Sequence, residues 1–402
     1  MLQRVGRLLR PPTTSLLANL AVRPRSLPIA RLTTMPPKRA ASTRAAAKRS
    51  APQQPPESPP SSPTESSQAP ATKKRAAAGA PSSANGSAPK RTKKPSAGGL
   101  PDSPAAPSGN DTTAPESLPR NTELPESLHF DRPRHDDSLR IAAWNIVSLK
   151  SSEPKGLLRY IDAEDADILV LTETKVNEVP MHPKLTARYK HQYWGIGKQK
   201  SYAGIAILSK LEPKNVTYGL PTLRDADSKG RMITLEFENT FLIGTYCVNA
   251  GEGLKSMDNK IAWNKAFAEH VRQCDQRKPV IWCGDLNVVH DDRDLAQASK
   301  KWNKSPGYTQ IECDAHRELL AGTADDGGRL VDVWREQHPD AVGHFTFYGW
   351  RGMCRSKGIG WRLDSFIFSE RIKDRAKECE IRHECYGPSD HVPIYCDVQG
   401  PL

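Results

Sequence analysis

Six short polar signatures close apolar, strand-like runs in this chain: Ala143-Trp144-Asn145, Thr172-Glu173-Thr174, Tyr246-Cys247-Val248-Asn249, Gly284-Asp285-Leu286-Asn287, Gly360-Trp361-Arg362-Leu363-Asp364 and Ser389-Asp390-His391. Together they supply carboxylates, amides, one phenol and one imidazole. That inventory suits metal-assisted attack of water on a phosphate ester. Glu173 offers the carboxylate oxygen that a hard cation prefers. Asp285 and Asn287 alternate with Leu286, so in extended chain they share a face, and an acid beside an amide can orient and activate water. Tyr246 and Asn249 can donate to phosphate oxygens. His391 needs a carboxylate to fix its tautomer, and Asp364 is a candidate partner. Each signature alone also has a plain reading: a solvated strand-end acid, an Asp-Leu-Asn turn, a half-buried strand aromatic. The recurrence of phosphate chemistry at six separate strand ends argues against those readings and for a phosphodiester hydrolase.

The elements that must carry these groups are legible as runs rich in β-branched and apolar residues. They span Leu139–Ile146, Asp167–Leu171, Gly204–Leu208, Met232–Phe237, Phe241–Val248, Val280–Trp282, Leu363–Phe368 and Val392–Val398. Most are short and bounded by polar residues, Gly or Pro, as buried strands are. Helical patterns fall at Lys155–Glu164 and Ser256–Cys274. Strands that pair directly in some places and are separated by helices in others predict an α/β fold with two packed sheets flanked by helices. A strand that ends in its polar residue presents it from a rigid sheet, at less desolvation cost than a carboxylate inside the strand.

Charge and composition divide the chain. Residues 1–137 hold 21 Lys+Arg and 10 Asp+Glu, net +11, whereas the remaining 37 basic and 36 acidic residues give +1. The first aromatic residue is Phe130. A basic, proline-rich stretch without aromatics cannot bury enough apolar surface to offset its ordering entropy, so a disordered tail is expected over 35–137. Residues 138–402 are long enough for one large domain. Residues 1–34 contain arginines interleaved with Leu, Val and Ser and no acid, the composition of a mitochondrial transit segment. Met35 then opens Met35-Pro36-Pro37-Lys38-Arg39, and basic clusters follow at Lys73-Lys74-Arg75 and Lys90-Arg91-Thr92-Lys93-Lys94. These resemble nuclear-import or nucleic-acid patches. Full-length chain in mitochondria and a product starting at Met35 in the nucleus is the expected distribution. The tail either attracts phosphates without regard to sequence or carries addresses alone. All eight cysteines lie between Cys247 and Cys396 with no C-x-x-C spacing, which argues against zinc and for reduced core thiols. No apolar run approaches membrane-spanning length.

Order and spacing of the signatures resemble the exonuclease III family of apurinic/apyrimidinic endonucleases. The resemblance rests on Trp144-Asn145, Thr172-Glu173-Thr174-Lys175, Tyr246-x-x-Asn249-Ala250-Gly251, Gly284-Asp285-Leu286-Asn287-Val288, Arg355-Ser356-Lys357 with Gly360-Trp361-Arg362-Leu363-Asp364, and Ser389-Asp390-His391. It covers about residues 139–398. It implies a four-layered α/β sandwich with two central mixed sheets, and hydrolysis 5′ to an abasic site that leaves a 3′-hydroxyl, with 3′-phosphodiesterase or 3′–5′ exonuclease activity as a companion. Duplex DNA with abasic sites is the implied partner, Mg²⁺ the implied cofactor with Mn²⁺ as a substitute, and a monomer the implied state. By that resemblance Asp285 deprotonates the attacking water. Asn249, Asn287, His391 and Tyr246 hold the scissile phosphate, with Asp364 paired to His391. The metal's surroundings are Asn145, Glu173, Asp285, Asn287, Asp390 and His391. Phe347, Trp361 and Leu363 wall the pocket for a baseless sugar, which has less stacking to lose on flipping. Lys175, Arg355 and Lys357 contact DNA phosphates. The loop Gly349-Trp350-Arg351-Gly352-Met353 departs from the family pattern, and its Trp350 and Arg351 read either as a wedge for the duplex or as a solvent-exposed loop.

Departures from the family pattern fall around the site. Val147 stands where the family carries an acid, Val248 where proline is usual, Glu252 where a DNA-contacting arginine occurs, and Gly358 where asparagine is customary. They keep two alternatives open: an abasic-DNA-binding paralogue with weak or no catalysis, and a phosphoesterase for RNA or a phosphoinositide.

Overall fold

The structure, a computed structural model, describes residues 112–132, 137–223, 226–323 and 328–402. The expected transit segment 1–34, the expected start at Met35 and the basic clusters lie outside the described residues. Twelve strands occur in chain order: β1 (Ser138–Asn145), β2 (Ile168–Thr172), β3 (His191–Gly195), β4 (Ile205–Ser209), β5 (Asn215–Tyr218), β6 (Met232–Glu236), β7 (Phe241–Tyr246), β8 (Val280–Asp285), β9 (Leu330–Asp332), β10 (Asp364–Ser369), β11 (Ala376–Ile381) and β12 (Ile394–Gln399). They form two six-stranded sheets, ordered β11-β12-β1-β2-β4-β3 and β5-β6-β7-β8-β10-β9. Each sheet is antiparallel except for one parallel pair, β1 with β2 and β7 with β8.

Strand alternation explains the layers. Ile141, Ala143, Ile168, Val170, Ile205 and Ile207 of the first sheet meet Ile281, Cys283, Phe366 and Phe368 of the second in one inner core. The intervening residues face outward. Ala142, Trp144, Leu169 and Leu171 pack under helix α1 (Leu157–Glu164), while Val280, Trp282 and Ile367 pack with α2 (Met257–Arg277) and α3 (Gln310–Ala321). Strands buried on both faces read as continuous apolar runs, which is why the sequence marked them. The result is the expected helix, sheet, sheet, helix order. All eight cysteines are free thiols, and all but Cys354 are buried. Among the described residues no helix is long and apolar enough to cross a membrane.

The ordered fold starts before residue 138, earlier than the expected domain boundary. Residues 112–132 form a strap over the first sheet. Ala114 donates its N–H to Gly358 O at 2.8 Å. Leu124 is buried in the outer core of the first sheet, with Leu128 and Phe130 packed against it. Gly387 makes room for the strap, because a Cβ there would stand 2.8 Å from Glu123 Cα. The strap's apolar residues are isolated among prolines and polar residues, so no periodicity separated them from the tail.

Candidate active site

Sheet register assembles the site. Asp285 of β8 lies opposite Tyr246 of β7 on one side and Asp364 of β10 on the other. In the other sheet Asn145 lies opposite Thr172, immediately before Glu173. The six signatures thus meet where the ends of two packed sheets converge. The Asn145 amide joins them, donating through Nδ2 to Asp285 Oδ2 at 2.9 Å and to Glu173 Oε1 at 3.0 Å. Asn287 N–H and Nδ2 both donate to the Asp285 carboxylate, and Asn249 Nδ2 donates to Asn287 Oδ1 at 2.8 Å. His391 donates from Nδ1 to Asp364 Oδ2 at 2.7 Å. Glu173 and Asn287 adopt left-handed backbone conformations, φ 54° and 48°. Asparagine tolerates that conformation, but for Glu173 it persists only where the surroundings enforce it, as at functional sites.

The protonation states are set by burial and by neighbours. Asp285 is buried, and the lost hydration together with repulsion from Asp364 pushes its carboxyl up to about 7. For His391, burial opposes the charged ring, but the charge and hydrogen bond of Asp364, with Asp285 and Asp390 adding, push it up to about 10. The ring is therefore a cation at neutral pH. Burial also works to raise Glu173, yet the hydrogen bond and charge of Lys175, 2.8 Å away, outweigh it and hold the carboxyl below its ordinary value. Asp390 is pushed up by burial and by Glu173, against the pull of His391. Burial, then Glu173 and Asp285, hold the Tyr246 phenol well above its usual value, so it stays a neutral donor.

Glu173 and Asp390 fit a divalent cation. They are carboxylates whose charges raise one another's cost, and an ion near both relieves that repulsion. Among the described residues no three His, Cys, Asp or Glu side chains cluster to enclose a metal. A divalent cation held by these two carboxylates would keep water ligands. Three residues expected around the metal have other tasks. The His391 ring pairs through Nδ1 with Asp364 at 2.7 Å. Asp285 is surrounded by amide donors, and Asn287 spends its side chain on Asn249, Cys247 O and Asp285.

Beside His391 an apolar wall is built as expected. The Phe347 ring lies 4.9 Å from the imidazole, and Phe347 and Trp361 exchange backbone hydrogen bonds at 2.8 and 2.9 Å. Leu363 sits in the same cluster with Leu295 and Tyr308. Trp350 is half exposed on the neighbouring loop and Arg351 is exposed, as a wedge requires. Lys357 is exposed and closes that loop by donating to Gly352 O at 2.8 Å. Arg355 departs from expectation. It is buried, stacked on Tyr348 and Tyr386, and donates to Asn121 and His383 O. Three apolar or carbonyl-lined walls hold its charge inside, so it ties the strap to the loop and cannot reach a phosphate.

Sequence reasoning missed Thr346 and Arg231, and named Ser389 in its signature without giving it a role. Thr346 Oγ1 donates to Asp364 Oδ2 at 2.7 Å and accepts from Leu363 and Asp364 N–H. Ser389 Oγ donates to Asn145 O at 2.6 Å and accepts from His391 N–H. Arg231 lies between the Tyr202 and Tyr246 rings, 5.3 and 4.9 Å from their centroids. The alternation Phe345-Thr346-Phe347 signals a polar residue aimed inward; nothing in the local sequence marks Arg231.

Two mixed sheets with a buried acid, amide and imidazolium at their common edge define a hydrolase of phosphate esters. The sequence pattern of the endonuclease/exonuclease/phosphatase family matches residues 142–391. An exodeoxyribonuclease of Bacillus subtilis (strain 168) is 36% identical over 259 residues, 64% of this chain and 98% of that protein. The DNA repair nuclease APEX1 of Danio rerio is 37% identical over 260 residues, 64% of this chain and 81% of that protein. The solved AP endonuclease from Archaeoglobus fulgidus is 26% identical with a TM-score of 0.57, over 65% of this chain and 100% of that one. The chain belongs to the endonuclease/exonuclease/phosphatase family, on its exonuclease III-type AP endonuclease branch.

Proposed function

We propose that this chain is a DNA-repair AP endonuclease that hydrolyses the phosphodiester 5′ to an abasic site and leaves a 3′-hydroxyl. The observation that carries this reading is Asp285, a buried carboxyl poised near 7, in one site with a cationic His391 and the apolar wall of Phe347, Trp361 and Leu363. A base poised near the working pH combines the right protonation state with the greatest driving force. Asp285 takes the proton from the attacking water, its carboxylate held in place by Asn145 and Asn287. His391, kept charged and oriented by Asp364, stabilises the negative charge that grows on the phosphate, and Tyr246 and Asn249 add neutral donors. Glu173 and Asp390, with Asn145 alongside, hold the cation, Mg²⁺ in this reading. When bound it acts as a Lewis acid on the phosphate. Phe347, Trp361 and Leu363 accept the baseless sugar and exclude a full nucleotide. Trp350 and Arg351 enter the duplex at the lesion. The same groups serve removal of a blocked 3′ terminus.

The test is incision of a duplex with one stable abasic analogue by the full chain, with and without Mg²⁺. Incision 5′ to the analogue that requires the metal and is lost in Glu173→Ala supports the reading. Binding without incision at any Mg²⁺ concentration points to the non-catalytic alternative.

A further inference from the structure

Behind the catalytic turn Asp285–Asn287 lies a charge that the reaction does not touch. Lys260, on α2, is 1% exposed, and among the described residues no other lysine is buried to this degree. Its ammonium donates to the carbonyls of Leu286 at 3.3 Å and Asn287 at 3.2 Å. No carboxylate among the described residues forms an ion pair with it. Glu312 of α3, 0% exposed, lines a small cleft of about 20 Å³ together with Lys260, Trp263, Leu286 and His316. Glu312 Oε2 accepts from Gly307 N–H at 2.9 Å and Thr309 Oγ1 at 2.8 Å. Its Oε1 has no partner among the described residues. Gly307 in turn presses on the turn from the other side, because a Cβ there would stand 3.3 Å from Asn287 O.

We infer that Lys260 is a positioning residue of the reaction: its buried ammonium holds the Leu286 and Asn287 carbonyls so that the Asn287 N–H and amide stay aimed at Asp285. The inference rests on Asp285 as the base. Two features carry it. A buried lysine is expensive, and a core built for stability alone does better with an apolar side chain of similar size. Moreover the carbonyls it bonds belong to the turn whose Asn287 N–H and amide donate to the Asp285 carboxylate. Two carbonyls converging on one ammonium orient two successive peptide planes: the first carries the Asn287 N–H, and the two together set the direction of the Asn287 side chain. Glu312 lines the same cleft and, through Gly307 N–H and Thr309 Oγ1, fixes the loop that closes on the turn. Positive charge behind a turn that faces a phosphate also adds to the field of the site.

The experiment compares Lys260→Met, Lys260→Arg and wild type on the abasic duplex, with amide hydrogen exchange of the same proteins. In Lys260→Met kcat falls about 10²-fold, the size expected of a misplacement near 1 Å, and KM changes less than about 2-fold. Exchange at Asn287 and Val288 quickens about 10-fold while the inner strands stay protected. Lys260→Arg, which still reaches the carbonyls, recovers most of kcat. Should Lys260→Met not fold, Lys260→Gln keeps a neutral donor and shows the same changes at smaller size. A folded Lys260→Met or Lys260→Gln with wild-type kcat and wild-type exchange at Asn287 overturns the inference. So does a uniform loss of stability with kcat per folded molecule unchanged. A wild type that does not incise the abasic duplex overturns the proposed activity instead, and exchange at Asn287 then decides the positioning role alone.

Discussion

Asp285 and Asp294 are both buried aspartates near the end of β8, and they have opposite fates. Asp294 is 1% exposed, and burial alone would raise its carboxyl, yet Arg362 and Arg335 hold it down at about 2. Arg362 donates to both of its oxygens at 2.8 Å, Arg335 adds a third bond, and Arg362 also meets Asp332 at 2.7 Å. Every charge there has a partner. Asp285 receives amide hydrogen bonds and no adjacent guanidinium, and faces Asp364 across the β8–β10 pair. Its carboxyl rises to about 7. The difference teaches how to tell structure from chemistry when both are buried. A carboxylate surrounded by cations is spent on the fold, whereas one that is solvated only by amides and repelled by a neighbour is kept ready to take a proton.

Replacement of each acid sharpens the comparison. Asp285→Asn keeps the shape and removes the base, so kcat falls by about 10³–10⁴-fold while the melting temperature holds or rises, because a costly buried charge is gone. Asp294→Ala leaves two arginines in the interior without their carboxylate. A loss of about 3–5 kcal/mol in a urea titration is expected, with kcat per folded molecule little changed. A pair of variants that lost activity and stability together would erase the distinction.

The pH profile probes the same contrast without substitution. Asp285 works as the carboxylate, so kcat/KM falls as pH drops through about 7. His391 works as the cation, so the rate falls again as pH rises through about 10. Asp364→Asn removes the largest influence that raises His391, and the alkaline limb then moves down toward the ordinary imidazole range. An alkaline limb unmoved by that change would separate it from His391.

How much of this was legible depended on burial. The eight strands read from the sequence are the inner strands of both sheets, where residues such as Ile168–Thr172 are covered on each face. The four that were missed, β3, β5, β9 and β11, are the four sheet edges. Edge strands are short or half exposed, and polar residues break their runs: Asn215, Thr217 and Tyr218 in β5, or Lys377, Glu378 and Glu380 in β11. Site residues at strand ends were visible because their types are chemical. Lys260 and Thr346 were not, since a lysine in a helix and a threonine between two phenylalanines look ordinary until the chain brings them behind Asp285 and Asp364. Arg355 was misjudged for the converse reason. Its motif marks the DNA face, but Tyr348, Tyr386 and Asn121, which bury it, come from three separate segments.

The smallest expected effect lies at Val147, where the strained backbone of the site can be tested apart from its charges. This β-branched residue has φ 59°, and its N–H donates to Asn145 Oδ1 at 3.0 Å. A left-handed conformation costs an ordinary L residue about 1–2 kcal/mol, and asparagine or aspartate tolerates it. Val147→Asn therefore stabilises the protein by about 1 kcal/mol and leaves kcat near wild type. Val147→Asp relieves the same strain and adds a carboxylate beside the Glu173 end of the site, so the Mg²⁺ concentration for half-maximal incision drops by up to about 10-fold. The difference between the two variants isolates the charge, because the backbone gain is common to both. Equal metal requirements in the two would mean that position 147 acts through conformation alone, and that Glu173 and Asp390 already supply all the negative charge the cation uses.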